Sequence, residues 1–112
     1  MRLLTAALLT ISLTTPAWAG LDYYEEGAIC DKKAGFCADF MGVSLALTKM
    51  YLGDQAEQKL MSQINAVGSE NFNPSSFTMS GGLTCDAEAK KCWTSKGQDK
   101  LDEKATKTLF GN

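Results

Sequence analysis

Four cysteines are the residues best equipped for chemistry in this chain: Cys30, Cys37, Cys85 and Cys92. A cysteine sulfur can act as a nucleophile, hold a metal or pair into a disulfide. Nucleophilic attack needs a base beside the sulfur or hydroxyl, and the 112 residues include no histidine. Structural zinc sites usually offer cysteines about two to four residues apart, often with histidine. Here six residues separate the cysteines of each pair. An even cysteine count in a small chain with an export signal reads as disulfides. No metal and no cofactor is expected.

Paired carboxylates can hydrolyse glycosides, and Asp31 and Asp86 each follow the first cysteine of a pair. An aspartate at a turn entry has a local explanation, because its side chain accepts hydrogen bonds from the turn's own amides. Glu25 and Glu26 read as a solvated strand entry. No glycine-rich phosphate loop is spelled. No catalytic residue is assigned, and the protein is expected not to be an enzyme. Three aromatics are candidate partner contacts: Trp93, Tyr23 and Tyr24. Trp93 follows Cys92 and in a strand would point away from the disulfide. It is either a core residue under a helix or an exposed interface anchor. The core is preferred, since large aromatics dominate burial in a small domain. Phe40, Phe72, Phe77 and Phe110 are expected in the core for the same reason.

The elements that must position these residues are written twice. Residues 27–37 and 82–92 share the skeleton Gly-x-x-Cys-Asp-x-x-Ala-x-x-Cys, five identities in eleven positions. Further on, Thr48, Lys49 and Gly53 match Thr106, Lys107 and Gly111. The second cysteine and this threonine lie eleven positions apart in the first copy and fourteen in the second. Two matched blocks in one order suggest a duplicated unit and a pseudo-twofold domain. Within each unit, short apolar runs flank a polar stretch, the signal of a β-hairpin. If Cys30 faces Cys37, residues 32–35 form the loop and Gly35 supplies a positive φ. In the second copy Lys90 stands in the place of Gly35. Opposed cysteines in an antiparallel pair lie about 4.5–5.5 Å apart at Cα, a span that a disulfide accepts. Local pairing, Cys30 with Cys37 and Cys85 with Cys92, is therefore preferred. Loop entropy alone would not choose it, giving about 2.5 kcal/mol for a local bridge against about 4 kcal/mol for Cys30 to Cys85.

A helix follows each hairpin. In the first, Ser44 can cap and Gly53 can stop it, with Leu45, Ala46, Leu47, Met50 and Tyr51 as the apolar surface. In the second, Asp99 is the expected cap and Gly111 the stop, with Leu101, Ala105, Thr108 and Leu109 on one face. The Thr-Lys pair before each stop reads as a polar edge with a cation near the negative helix end. A third helix lies between the copies. Asp54 and Glu57 form a capping box, Ala56, Leu60, Met61, Ile64 and Val67 a stripe, and Gly68 the end. The expected architecture is α+β: a small disulfide-stapled domain of two pseudo-repeated β-hairpin–helix units forming one antiparallel sheet, with one extra helix between them.

Compartment and charge narrow the function. Arg2, an apolar run over residues 3–13, Pro16 and Ala17-Trp18-Ala19 read as a cleaved secretory signal peptide of residues 1–19. Residues 20–112 would be the single mature domain, located in the periplasm or secreted, with no membrane anchor after cleavage. Without Arg2, ten lysines face thirteen acidic residues, interspersed rather than clustered. That pattern lacks the basic footprint of a nucleic-acid binder.

The segments "GAICD", "FCAD" and "GVSLALTKMYLG", followed by "FTMSGGLTCD", "KKCW" and "TKTLFG", resemble the YcgJ-like, Fels prophage-protein-like family. The resemblance runs from about Glu26 to Gly111. It implies a small exported bacterial protein with disulfides, and it brings no activity and no catalytic residues to transfer. The stretch after Trp93 departs from the family, being short and without the basic and aromatic residues of that region. Two functional readings stand beside each other. The first is a non-catalytic binder of an envelope or secreted protein, of an inhibitor or immunity type, supported if an exposed aromatic patch is rimmed by charge. The second is a binder of a small molecule or envelope polymer, supported by a pocket of at least about 300 Å³ between the two copies.

Overall fold

A computed structural model describes residues 20–111, so the expected signal peptide lies outside the described residues. The first copy forms β1 (Leu21–Tyr24), β2 (Ala28–Asp31), β3 (Phe36–Asp39), β4 (Gly42–Ser44) and α1 (Leu45–Leu52). The inserted helix is α2 (Asp54–Val67). The second copy forms β5 (Ser76–Thr78), a 3-10 turn at Ser80–Gly82, β6 (Thr84–Asp86), β7 (Lys91–Trp93) and α3 (Glu103–Phe110). The α+β class and the repeated hairpin–helix unit are therefore present.

The hairpins do not share one sheet. Strands β1-β2-β3-β4 make one antiparallel meander and β5-β6-β7 another. Where β4 meets the second copy, a single backbone bond crosses, from Val43 N to the Pro74 carbonyl at 2.8 Å. Proline has no N–H to return a ladder bond, so the pairing stops there. The contact is close: a Cβ on Gly42, whose φ is +111°, would lie 2.7 Å from the Pro74 carbonyl carbon and 2.9 Å from Ser75 Cα. Only glycine fits between that turn and the loop.

Each hairpin closes its own disulfide. Cys30 pairs with Cys37 and Cys85 with Cys92 in the strand registers, both bridges spanning Cα atoms 4.0 Å apart. The helix that follows is tied to the second cysteine by a threonine. Thr48 Oγ1 accepts from Cys37 N at 2.9 Å, and Thr106 Oγ1 accepts from Cys92 N, also at 2.9 Å. Each hydroxyl supplies an acceptor to the amide of the second cysteine and passes its own proton on, to the Ser44 carbonyl or the Cys92 carbonyl. The threonine expected at a polar edge is thus buried in both helices. Four residues before each threonine stands the N-cap: Ser44 accepts from Leu47 N and Asp102 from Ala105 N. The second cap is Asp102, not Asp99, because the three extra residues of that copy fall in the loop before the helix. Helix α2 makes no side-chain cap bond, and its N-cap is Gly53 rather than Asp54.

Strand alternation sorts the faces. The pair Ile29 and Ala38 joins Phe77, Cys85, Cys92, Ala105 and Leu109 in the central core, so α3 packs between the two copies. Phe36 meets Phe77 edge to face at 6.0 Å across the junction. Cys30 and Cys37 fall on the opposite face of the first sheet, where α1 covers them. Helix α1 buries Thr48 alone, and Met50 is 69% exposed. From the α2 stripe only Leu60 is fully buried, while Met61 and Val67 are exposed.

Candidate functional site

The turns of both copies converge with the end of α3 around one hollow of about 370 Å³, lined by Glu26, Gly27, Phe40, Lys90, Leu109 and Phe110. Glu26 and Gly27 come from the β1–β2 turn, closed by Gly27 N on the Tyr24 carbonyl at 3.0 Å. Phe40 comes from the β3–β4 turn, where Asp39 Oδ1 accepts from Met41 N at 2.9 Å. That Asx turn leaves Phe40 62% and Met41 68% exposed. Phe40 is therefore not the core residue its type suggested, because the two-residue tip of the β3–β4 hairpin projects it into solvent. Phe77 is buried, and Phe72 and Phe110 are half-buried. Lys90 enters from the β6–β7 turn with φ +59°, the conformation that Gly35 adopts at +87° in the first copy.

One rim of the hollow is charged and anchored. Tyr51 Oη donates to Glu26 Oε2 at 2.7 Å, and its ring stacks on Tyr24 with centroids 4.1 Å apart. The Tyr51 hydroxyl and the backbone amide of Glu26 itself hold the Glu26 carboxyl below its usual range. The same hydrogen bond, followed by desolvation, pushes the Tyr51 phenol up. A fixed negative charge thus stands at the same opening as the cation of Lys90. Phe40, Leu109 and Phe110 supply the apolar part of its walls.

The three aromatics singled out from sequence do not gather. Tyr23 packs against the core with Lys104 Nζ 4.1 Å above its ring. Burial, and then the charge of Asp102, pushes its phenol up to about 12. Tyr24 points to the other face of β1 and stacks on Tyr51. Trp93 stands in the cross-strand row Thr78–Thr84–Trp93, on the face of the second sheet away from its disulfide. It is half-buried and lies outside the core cluster, with Leu101 bridged beside it. None of the three lines the hollow.

The two aspartates after the first cysteines have diverged. Asp86 Oδ1 accepts from Glu88 N and Ala89 N in its own turn. Asp31 accepts from Ala34 N in its turn as well, and also from Ser80 N at 2.6 Å and Ser80 Oγ at 3.1 Å. It is fully buried and links the first copy to the second. No sequence signal marked Ser80 as its partner, since the pair is 49 positions apart. Among the described residues no group of His, Cys, Asp or Glu is placed to hold a metal ion. Among them, too, no helix is long and apolar enough to cross a membrane.

Fold and bridges together define a small α+β domain stapled by two disulfides, with a recess where its two copies meet. The family model described as YcgJ protein matches residues 21–110, and the chain belongs to that family. It is 32% identical over 91 residues to YcgJ, an uncharacterized protein of Escherichia coli (strain K12), covering 75% of this chain and 68% of that protein. No solved structure matches.

Proposed function

We propose that this YcgJ-family chain is a small exported, non-catalytic binding protein of the periplasm that recognises another envelope or secreted protein at the junction of its two copies. The observation that carries the reading is the exposed Phe40–Met41 tip beside a hollow that Phe40, Leu109 and Phe110 wall in part, with a carboxylate and an ammonium also lining it. Exposed aromatics around a concavity fit the anchor-and-pocket pattern of protein interfaces. Fixed charges of both signs would set the register of a partner. The two disulfides are compatible with an oxidising compartment. A catalytic role draws no support from the thiols, which are all paired, or from Asp31 and Asp86, whose oxygens are engaged in turn bonds. An inhibitor or immunity-type role suits such a domain.

A second reading keeps the same recess and changes its occupant. Its volume of about 370 Å³ is enough for a small molecule. Site-specific photo-crosslinking separates the two. A photoreactive residue at position 40 should give one discrete protein adduct in cells, with none from position 96 on the far loop. Adducts of equal yield from both positions, or none from either, would remove the protein-partner reading. Native mass spectrometry of protein isolated from the periplasm would then reveal a retained small molecule if the second reading holds.

A further inference from the structure

Away from that recess, the β2–β3 turn and α2 enclose a second hollow of about 300 Å³. Leu52, Ala56 and Leu60 contribute the apolar part of its lining. Its rim is basic, with Lys32 and Lys33 from the turn and Lys59 from the helix. No carboxylate among the described residues lines it, although the chain carries thirteen acids against eleven bases. Lys32 reaches Asp22 at 3.6 Å with most of its side chain in solvent. Lys33 and Lys59 have no ion pair or hydrogen bond among the described residues. Three like charges around one small space repel each other, and an anion placed there relieves the repulsion.

The same helix extends the site. Gln55, Lys59 and Gln63 also line an adjoining open hollow of about 610 Å³, together with Gln58 and Ser62. Positions 55, 58, 59, 62 and 63 follow the spacing of a single helix face. That face carries no apolar side chain. It offers amide donors, amide acceptors and a hydroxyl in a row, a surface suited to vicinal hydroxyl groups. An acidic peptide would instead call for an arginine cluster, an open strand edge or apolar side-chain pockets, and the amide row has none of these.

We propose that this groove binds an acidic oligosaccharide. The sugar carboxylate sits among Lys32, Lys33 and Lys59, the carbon face of its ring lies on the half-buried Leu52 and Ala56, and the next ring runs along Gln58, Ser62 and Gln63. The test is an NMR titration of the ¹⁵N-labelled oxidised protein with trigalacturonate, galacturonate, neutral maltotriose and a glutamate-rich peptide. Amide shifts should be confined to residues 32–35 and 55–63. Maltotriose should bind about tenfold more weakly than trigalacturonate, and K33Q/K59Q should weaken trigalacturonate by about the same factor. Rising salt should weaken it too. Both lysines are exposed, so the variant keeps the fold, and K96Q/K100Q on the far loop should leave affinity unchanged. Tighter binding of the trimer than of the monomer is expected from the second-ring contacts along the helix, and equal binding of the two would overturn the oligosaccharide. Equal affinity for maltotriose, stronger binding of the peptide, an unaffected K33Q/K59Q variant or shifts elsewhere would overturn the proposal. Phe40 lines neither of these hollows, so its substitution should leave trigalacturonate binding unchanged and the two sites fail independently.

Discussion

The two copies use the same parts and end in different surroundings. Both close a disulfide between opposed strand residues, seat a threonine hydroxyl on the second cysteine amide, cap the next helix four residues earlier and stop it at a glycine. The first copy is enclosed on both faces, by α1 on the disulfide side and by α3 and the second sheet on the other. The second copy buries its disulfide face against α3 and leaves the Thr78–Thr84–Trp93 row outside the core. Asp31 is buried as a link to Ser80, while Asp86, its counterpart, stays in an exposed turn. The local bonds are the same in both units, and the asymmetry lies in how they join. The two hollows with charged rims lie at that join and beside the inserted helix.

The largest effect that can break this comparison is loss of the bridges. Each closes a short loop and contributes about 2–3 kcal/mol by chain entropy. Reducing both should lower the melting temperature by about 20 °C or abolish folding, given about 4–8 °C per kcal/mol for a domain of this size. The pair C85A/C92A should cost more than C30A/C37A, because only the former opens the central core. Circular dichroism melts of the oxidised, reduced and paired variants measure the order.

Next comes the junction. G42A drives a side chain into the Pro74–Ser75 backbone at a positive φ and should cost about 3 kcal/mol in urea unfolding. D31A leaves the Ala34 and Ser80 amides without their acceptor and should cost about 2 kcal/mol. D86A, in its exposed turn, should cost less than about 1 kcal/mol. Equal costs for the two aspartates would contradict the claim that only one joins the copies. The smallest effect is at the turn tip. K90G relieves a left-handed non-glycine residue and should stabilise by about 0.5–1 kcal/mol, with G35K doing the reverse.

Much of the repeated unit was legible because disulfide spacing, turn residues and the Gly stops are local signals. The Cys30–Cys37 register, the Gly35 turn and the hairpin–helix order follow from residues close in sequence. Even Asp102 was within reach, as the residue four before Thr106 just as Ser44 is four before Thr48. What was not legible depends on distant packing. Pro74 ends the ladder between the sheets, Ser80 meets Asp31 across the junction, and the buried side of α1 is a threonine rather than its leucines. Phe40 and Trp93 looked like core by type, yet the turn geometry and the strand face set them outside it. A pocket between the copies was expected, but the residues that wall the recess escaped for the same reason, since they come from turns far apart in the chain.

Amide hydrogen exchange at Cys37 and Cys92 tests the central claim, that one module is built twice, with a threonine seat on each clasp. Both amides should exchange among the slowest in the protein. T48V should release Cys37 and leave Cys92 protected, and T106V should do the opposite, each losing about 1–2 kcal/mol of protection. Fast exchange at either amide in the native protein, or loss at both from a single substitution, would contradict it.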